Sequence, residues 1–131
     1  SQSSSMRIMS LEGMEISLVH AGLGKCLLAF QENGRKESIL TALNYNKASA
    51  TSIESPEQLR EGLDKIVQQG WAFDNSEGEA DIRCVAVPVF SQQHLLGAIS
   101  IVGTVTKFSD VEIPHIVTLA KSCAQNIAAS L

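Results

Sequence analysis

An acid, a thiol and a hydroxyl stand out along one stretch, WAFDNSEGEADIRCVAVPVFSQQHLLGAISIVG, Trp71 to Gly103. They are Asp74, Cys84 and Ser100. A carboxylate accepts hydrogen bonds, a hydroxyl donates and accepts, and a thiol is a weak donor. Sparse polar atoms of this kind in an apolar wall are the usual make-up of a small-molecule site. The thiol also raises nucleophilic catalysis, with His20, His94 or His115 as base. No spacing ties a histidine to Cys84, and His94 and His115 read as exposed. An inert buried thiol is the plainer reading of Cys84. A metal held by Asp74 and Cys84 lacks the further ligands of a closed site. The carboxylates of the Ser76–Asp81 loop, Glu77, Glu79 and Asp81, could in principle hold a metal or move a proton, but clustered surface carboxylates are ordinarily solvated.

A second candidate is HAGLGKCLLAF, His20 to Phe30. Small residues open it and apolar ones follow, which reads as a loop running into a short helix near Gly22. Amides at a helix N-terminus attract anions. GLGK lacks the full phosphate-loop spacing, and Cys26 stands where Ser or Thr would serve magnesium. Glycines for tight helix–sheet packing, or a turn lining a ligand, are the better readings.

For Asp74, Cys84 and Ser100 to meet, the sheet must have one register. The runs Ile82–Phe90 and Leu95–Gly103, rich in β-branched residues and split by Ser91–His94, predict a hairpin. A four-residue loop pairs Phe90 with Leu95 and puts Cys84 and Ser100 on opposite faces. A three-residue loop, or a bulge of the same effect, pairs Cys84 with Val102 and Ala86 with Ser100, so that both share a face.

Around the hairpin, Met6–Leu11 and Met14–Val19 read as short strands and Arg35–Leu43 as a short helix, with Tyr45 in the turn-like stretch beyond. Ser55-Pro56-Glu57-Gln58 is a strong helix start. Leu59, Leu63, Ile66 and Val67 form its apolar stripe, and Gly70 ends it. Trp71–Asn75 predicts a strand. Ser109-Asp110-Val111-Glu112 reads as a capping box, with Pro114 either distorting the start or pushing the helix downstream. Val117, Ala120, Ala124, Ile127, Ala128 and Leu131 mark the inner face of that last helix. Both hairpin faces are apolar and must be covered. The expected fold is α+β: an antiparallel sheet, the long helices Pro56–Gln69 and Ile116–Leu131 on one face, and the His20–Phe30 segment with the Asn75–Asp81 loop closing a ligand cup on the other.

At 131 residues the chain suits one domain. Its net charge of −4 argues against nucleic-acid binding by this piece alone. No run approaches the roughly 18 apolar residues of a membrane span, and no secretory signal is visible. Three cysteines without CxxC spacing suit a reduced, cytoplasmic setting.

Several segments together carry a family likeness. HAGLGKCLLAF resembles the GKALLAF segment of the effector-binding domain of IclR-type transcriptional regulators. LDKIVQQGWAFDNSEGEADIRCVAVPVF resembles that family's IRxxGYAxDxEExxxGxxCxAxPVF. GAISIVG resembles AALSISGP, and FSDVEIPHIVTLAKSCAQNIAASL its closing helix. The likeness covers Met6 to Leu131. It implies a GAF-like effector domain without cofactor or catalysis, binding a small metabolite such as a carboxylate or sugar acid. It also implies a homodimer or homotetramer, and DNA binding only through a winged helix-turn-helix that these residues do not include; the effector domain's first strands are also expected to lie outside them. By position, the ligand-lining residues would be Ala21, Gly22, Leu23, Gly24, Asp74, Cys84, Ser100 and Val102. Val102 stands where the family has a second serine, Asp81 where it has glycine, and Thr104 where it has proline. A purely structural, dimerising domain is the competing reading.

Overall fold

The computed structural model describes residues 21–43, 55–75 and 81–131. The strands expected over Met6–Val19, His20, Tyr45, and Glu77 and Glu79 lie outside the described residues. Among the described residues, four helices and three strands follow in order: α1 (Gly22–Ala29), α2 (Asn33–Ala42), α3 (Pro56–Gln69), β1 (Ala72–Asn75), β2 (Ile82–Ser91), β3 (His94–Thr104) and α4 (Ile113–Ala129). The strands form one antiparallel sheet in the order β1-β2-β3. The fold class is α+β, as expected.

Local chemistry explains the element ends. Ser55 Oγ accepts from the Gln58 amide at 3.2 Å, Pro56 occupies the first turn of α3, and Gly70 closes the helix at φ 88°. That left-handed cap suits a residue without Cβ. Helix α2 starts earlier than expected, because the Glu32 side chain accepts from the Arg35 amide at 3.0 Å. Helix α4 begins at Ile113. Ser109 is therefore not its cap. Its carbonyl instead accepts from the amides of Glu112 and Ile113, forming a turn. Pro114 then falls in the first helical turn, where a missing N–H costs nothing.

The hairpin reconciles the two candidate registers. Gln92 and Gln93 form a two-residue turn with φ of 51° and 69°, the left-handed pair that a tight hairpin favours. Phe90 pairs with Leu95, but Val89 pairs with Gly97. Leu96 is thus an extra residue, a bulge that shifts everything beyond it by one position. From there Ala86 faces Ser100 and Cys84 faces Val102.

Two cores result, one per sheet face. On one, Val85, Val87 and Val89 pack with Phe108 and with Ile116, Val117, Ala120 and Ala124. On the other, Ala72, Cys84 and Ala86 pack with Cys26, Leu28 and Ala29 of α1, Leu40 of α2, and Leu59, Leu63 and Ile66 of α3. The layering therefore differs from the expectation: α3 lies with α1, opposite α4. An apolar stripe says that a helix is buried but not against which face, and an eight-residue α1 is too short to cover that face alone. Val67, Ile127 and Leu131, expected inside, are exposed.

Candidate ligand-binding site

The α1 side of the sheet carries the polar residues singled out above. Asp74 pairs with Cys84, and Cys84 with Val102, so these three form one row across β1, β2 and β3. Ala72, Ala86 and Ser100 form the adjoining row on the same face. Small side chains dominate this face, and that is what lets a helix approach closely. Serine 100, diagonally across from Cys84 on the neighbouring strand, hydrogen-bonds its thiol. Asp74, Cys84 and Ser100 thus converge, while Val102 adds methyl groups beside them.

Helix α1 stands over this row at its N-terminus. Its N-cap position, Ala21, has no side chain to satisfy an amide. The cap comes from across the fold: Asp74 Oδ2 accepts from the Gly22 amide at 3.1 Å. A carboxylate there also suits the positive end of the helix. Glycine 22 makes the approach possible, since a Cβ built on it would lie 3.0 Å from Asp74 Cβ and 3.3 Å from Cys84 Sγ. Gly24 is buried, and Leu23 packs half-buried against the core. The amides of Gly22, Leu23 and Gly24 belong to the first turn, where geometry offers no acceptor within the helix.

Two further residues belong to this cluster. Lys25 is 5% exposed, and Cys26 is fully buried. Three and four positions after Gly22, they straddle its direction on the helix. The lysine ammonium acts electrostatically on Cys84. A charged residue set between Gly24 and Cys26, in an otherwise small and apolar helix, was the available signal.

The two buried thiols, Cys26 and Cys84, are held neutral. Burial, then the Asp74 carboxylate, push Cys84 up to about 11, against the opposing pull of the Ser100 hydrogen bond and the Lys25 ammonium. Burial, and then Cys84 itself, push Cys26 up to about 12. A nucleophilic cysteine needs the reverse. His94 and His115 are exposed, and neither is among the groups that shift Cys84. Iodoacetamide at neutral pH is therefore expected to label exposed Cys123 first, with Cys26 and Cys84 reacting only on unfolding, as read by peptide mass. Fast labelling of Cys84 in the folded chain would restore the nucleophile reading. Among the described residues, no group of three or more His, Cys, Asp or Glu side chains is placed to hold a metal ion, and no helix is long and apolar enough to cross a membrane.

Residues 1–129 match the family described as bacterial transcriptional regulator IclR, C-terminal. The chain belongs to the IclR family. The HTH-type regulator RhmR of Escherichia coli, itself uncharacterized, is 41% identical over 127 residues, which is 96% of this chain and 49% of RhmR. The HTH-type regulator KdgR of the same organism is 31% identical over 127 residues, covering 96% of this chain and 48% of KdgR. The chain thus spans about half the length of these curated IclR-family relatives. Among solved structures, the C-terminal domain of E. coli KdgR superposes with a TM-score of 0.79 at 32% identity, covering 86% of this chain and 69% of that one. The Thermotoga maritima IclR superposes with a TM-score of 0.88 at 30% identity, covering 98% of this chain and 52% of that one. The IclR-family relatives are transcriptional regulators.

Proposed function

We propose that this IclR-family domain senses a small hydroxylated carboxylate, of the sugar-acid type, in the cup between the α1 N-terminus and the sheet. The observation that carries this reading is the convergence of Asp74, Cys84 and Ser100 on one face beneath the first turn of α1. Ser100 donates to the ligand's carboxylate together with the amides of Leu23 and Gly24, the Gly22 amide being held by Asp74. Asp74 accepts from a ligand hydroxyl, and Cys84 and Val102 form the wall. Ala21 and Leu23 flank the turn. The effector then shifts an existing equilibrium between states of a dimer or tetramer, and the protein's DNA-binding part reads out that shift.

Val102 gives this cup one hydroxyl fewer than the two serines of the family pattern. It therefore favours an effector with an apolar group at that point. A thermal-shift panel of hydroxy acids and sugar acids tests the reading. A ligand at 100 times its Kd is expected to add about 2.7 kcal/mol to stability. Ser100→Ala is expected to weaken the best hit by about tenfold, the value of one hydrogen bond to a charged group. A panel without hits favours the structural, dimerising alternative.

A further inference from the structure

An open groove of about 320 Å³ lies away from the cup, between the second half of β2 and α4. Its walls are Val87, Pro88 and Phe90 of the strand and Ala124 and Ala128 of the helix; Lys121 and Gln125 supply its polar groups. Pairing of β1 with β2 starts at Ala72 and Ala86, so beyond Ala86 no described strand lies on that side of β2.

Three features say what this groove suits. Its size sits at the lower end of small-molecule pockets, which fits a body of one or two rings. Its two polar side chains are one helical turn apart on α4, so they project from the same side of an apolar trough. The Lys121 ammonium is also pre-placed: Nζ lies 3.4 Å from the Gln69 carbonyl at the end of α3, and the side chain rests against Gly70. That held cation is the charge complement of a carboxylate.

We propose that this groove is a second ligand site, separate from the cup, for a flat apolar carboxylic acid whose carboxylate meets Lys121 and Gln125 while its body lies on Val87, Pro88 and Ala124. The proposal does not depend on the cup's role.

The probe is 2-naphthoate, titrated calorimetrically into the whole chain, with 2-naphthamide as its uncharged match. Naphthoate is expected to bind with a Kd of about 1 mM or tighter, as ordinary ligand efficiency allows for its size, and the amide about tenfold more weakly. Lys121→Gln is expected to remove that difference. Ala128→Phe, at the rim, is expected to abolish binding, while Ser100→Ala leaves it unchanged. The proposal is overturned if naphthoate fails to bind, if the amide binds equally well, or if Ser100→Ala abolishes binding. It is also overturned if sedimentation shows the groove closed by a second copy, with Ala128→Phe breaking that association and naphthoate having no effect.

Discussion

Gly103→Ala is expected to lower the unfolding free energy by about 3 kcal/mol, at the top of the ordinary range for overpacking. A Cβ at position 103 would lie 2.2 Å from Phe108 Cε1 and 2.6 Å from Cδ1. The ring cannot simply step aside. It is buried in the cluster of Val85, Ile116 and Val117. Its backbone is fixed at both ends: the Phe108 amide donates to the Thr104 carbonyl at 2.9 Å, and the Phe108 carbonyl accepts from Arg83 Nη1 at 2.6 Å. Arg83 is itself held by Asn75 Oδ1 at 2.9 Å and lies 5.5 Å above the Phe73 ring. The contact thus locks the β3–α4 connection onto the sheet. Urea unfolding measures the loss. In a Phe108→Leu background the same glycine substitution is expected to cost at least 1 kcal/mol less, a coupling typical of touching residues. Equal costs in both backgrounds would contradict the assigned collision.

Gly22→Ala has the second large effect, and it falls mainly on ligand binding. The added methyl meets Asp74 Cβ at 3.0 Å and Cys84 Sγ at 3.3 Å, so α1 must lift by a few tenths of an ångström and stretch the Gly22–Asp74 hydrogen bond. A stability loss of about 1–2 kcal/mol is expected from overpacking. Effector affinity is expected to fall by more than tenfold, because the amides and Asp74 no longer hold their spacing. Gly62→Ala is the control. Nothing lies within 4 Å of a Cβ at Gly62, so that substitution is expected to stabilise α3 by roughly 0.5–1 kcal/mol. If Gly22→Ala stabilises the chain as Gly62→Ala does, α1 is not seated on the sheet as described.

Elements whose signals are local were legible in the sequence. Helix α3 is bounded as expected, because Ser55, Pro56 and Gly70 each act within a turn of their own position. The shared face of Cys84 and Ser100 was legible only as a condition. The bulge at Leu96 that satisfies it comes with a turn of two glutamines, and neither residue carries the usual glycine or asparagine signature of left-handed backbone. The start of α4 was misread because Ser109 and Glu112 have the spacing of a capping box but lie in a preceding turn. The side taken by α3 was not legible, since periodicity carries no information about which sheet face a stripe meets. Within the site, Asp74, Cys84 and Ser100 were readable as chemistry. The trans cap from Asp74 to Gly22 depends on a contact between residues about fifty apart in the chain and has no local signature.

The most direct test is a crystal structure grown with the acid that gives the largest thermal shift. If the cup holds the effector, density appears between the amides of Leu23 and Gly24 and Ser100 Oγ, with Asp74 within hydrogen-bond distance of a ligand hydroxyl. Density confined to the Lys121 groove or to the surface, with α1 unmoved and nothing over Ser100, would contradict it.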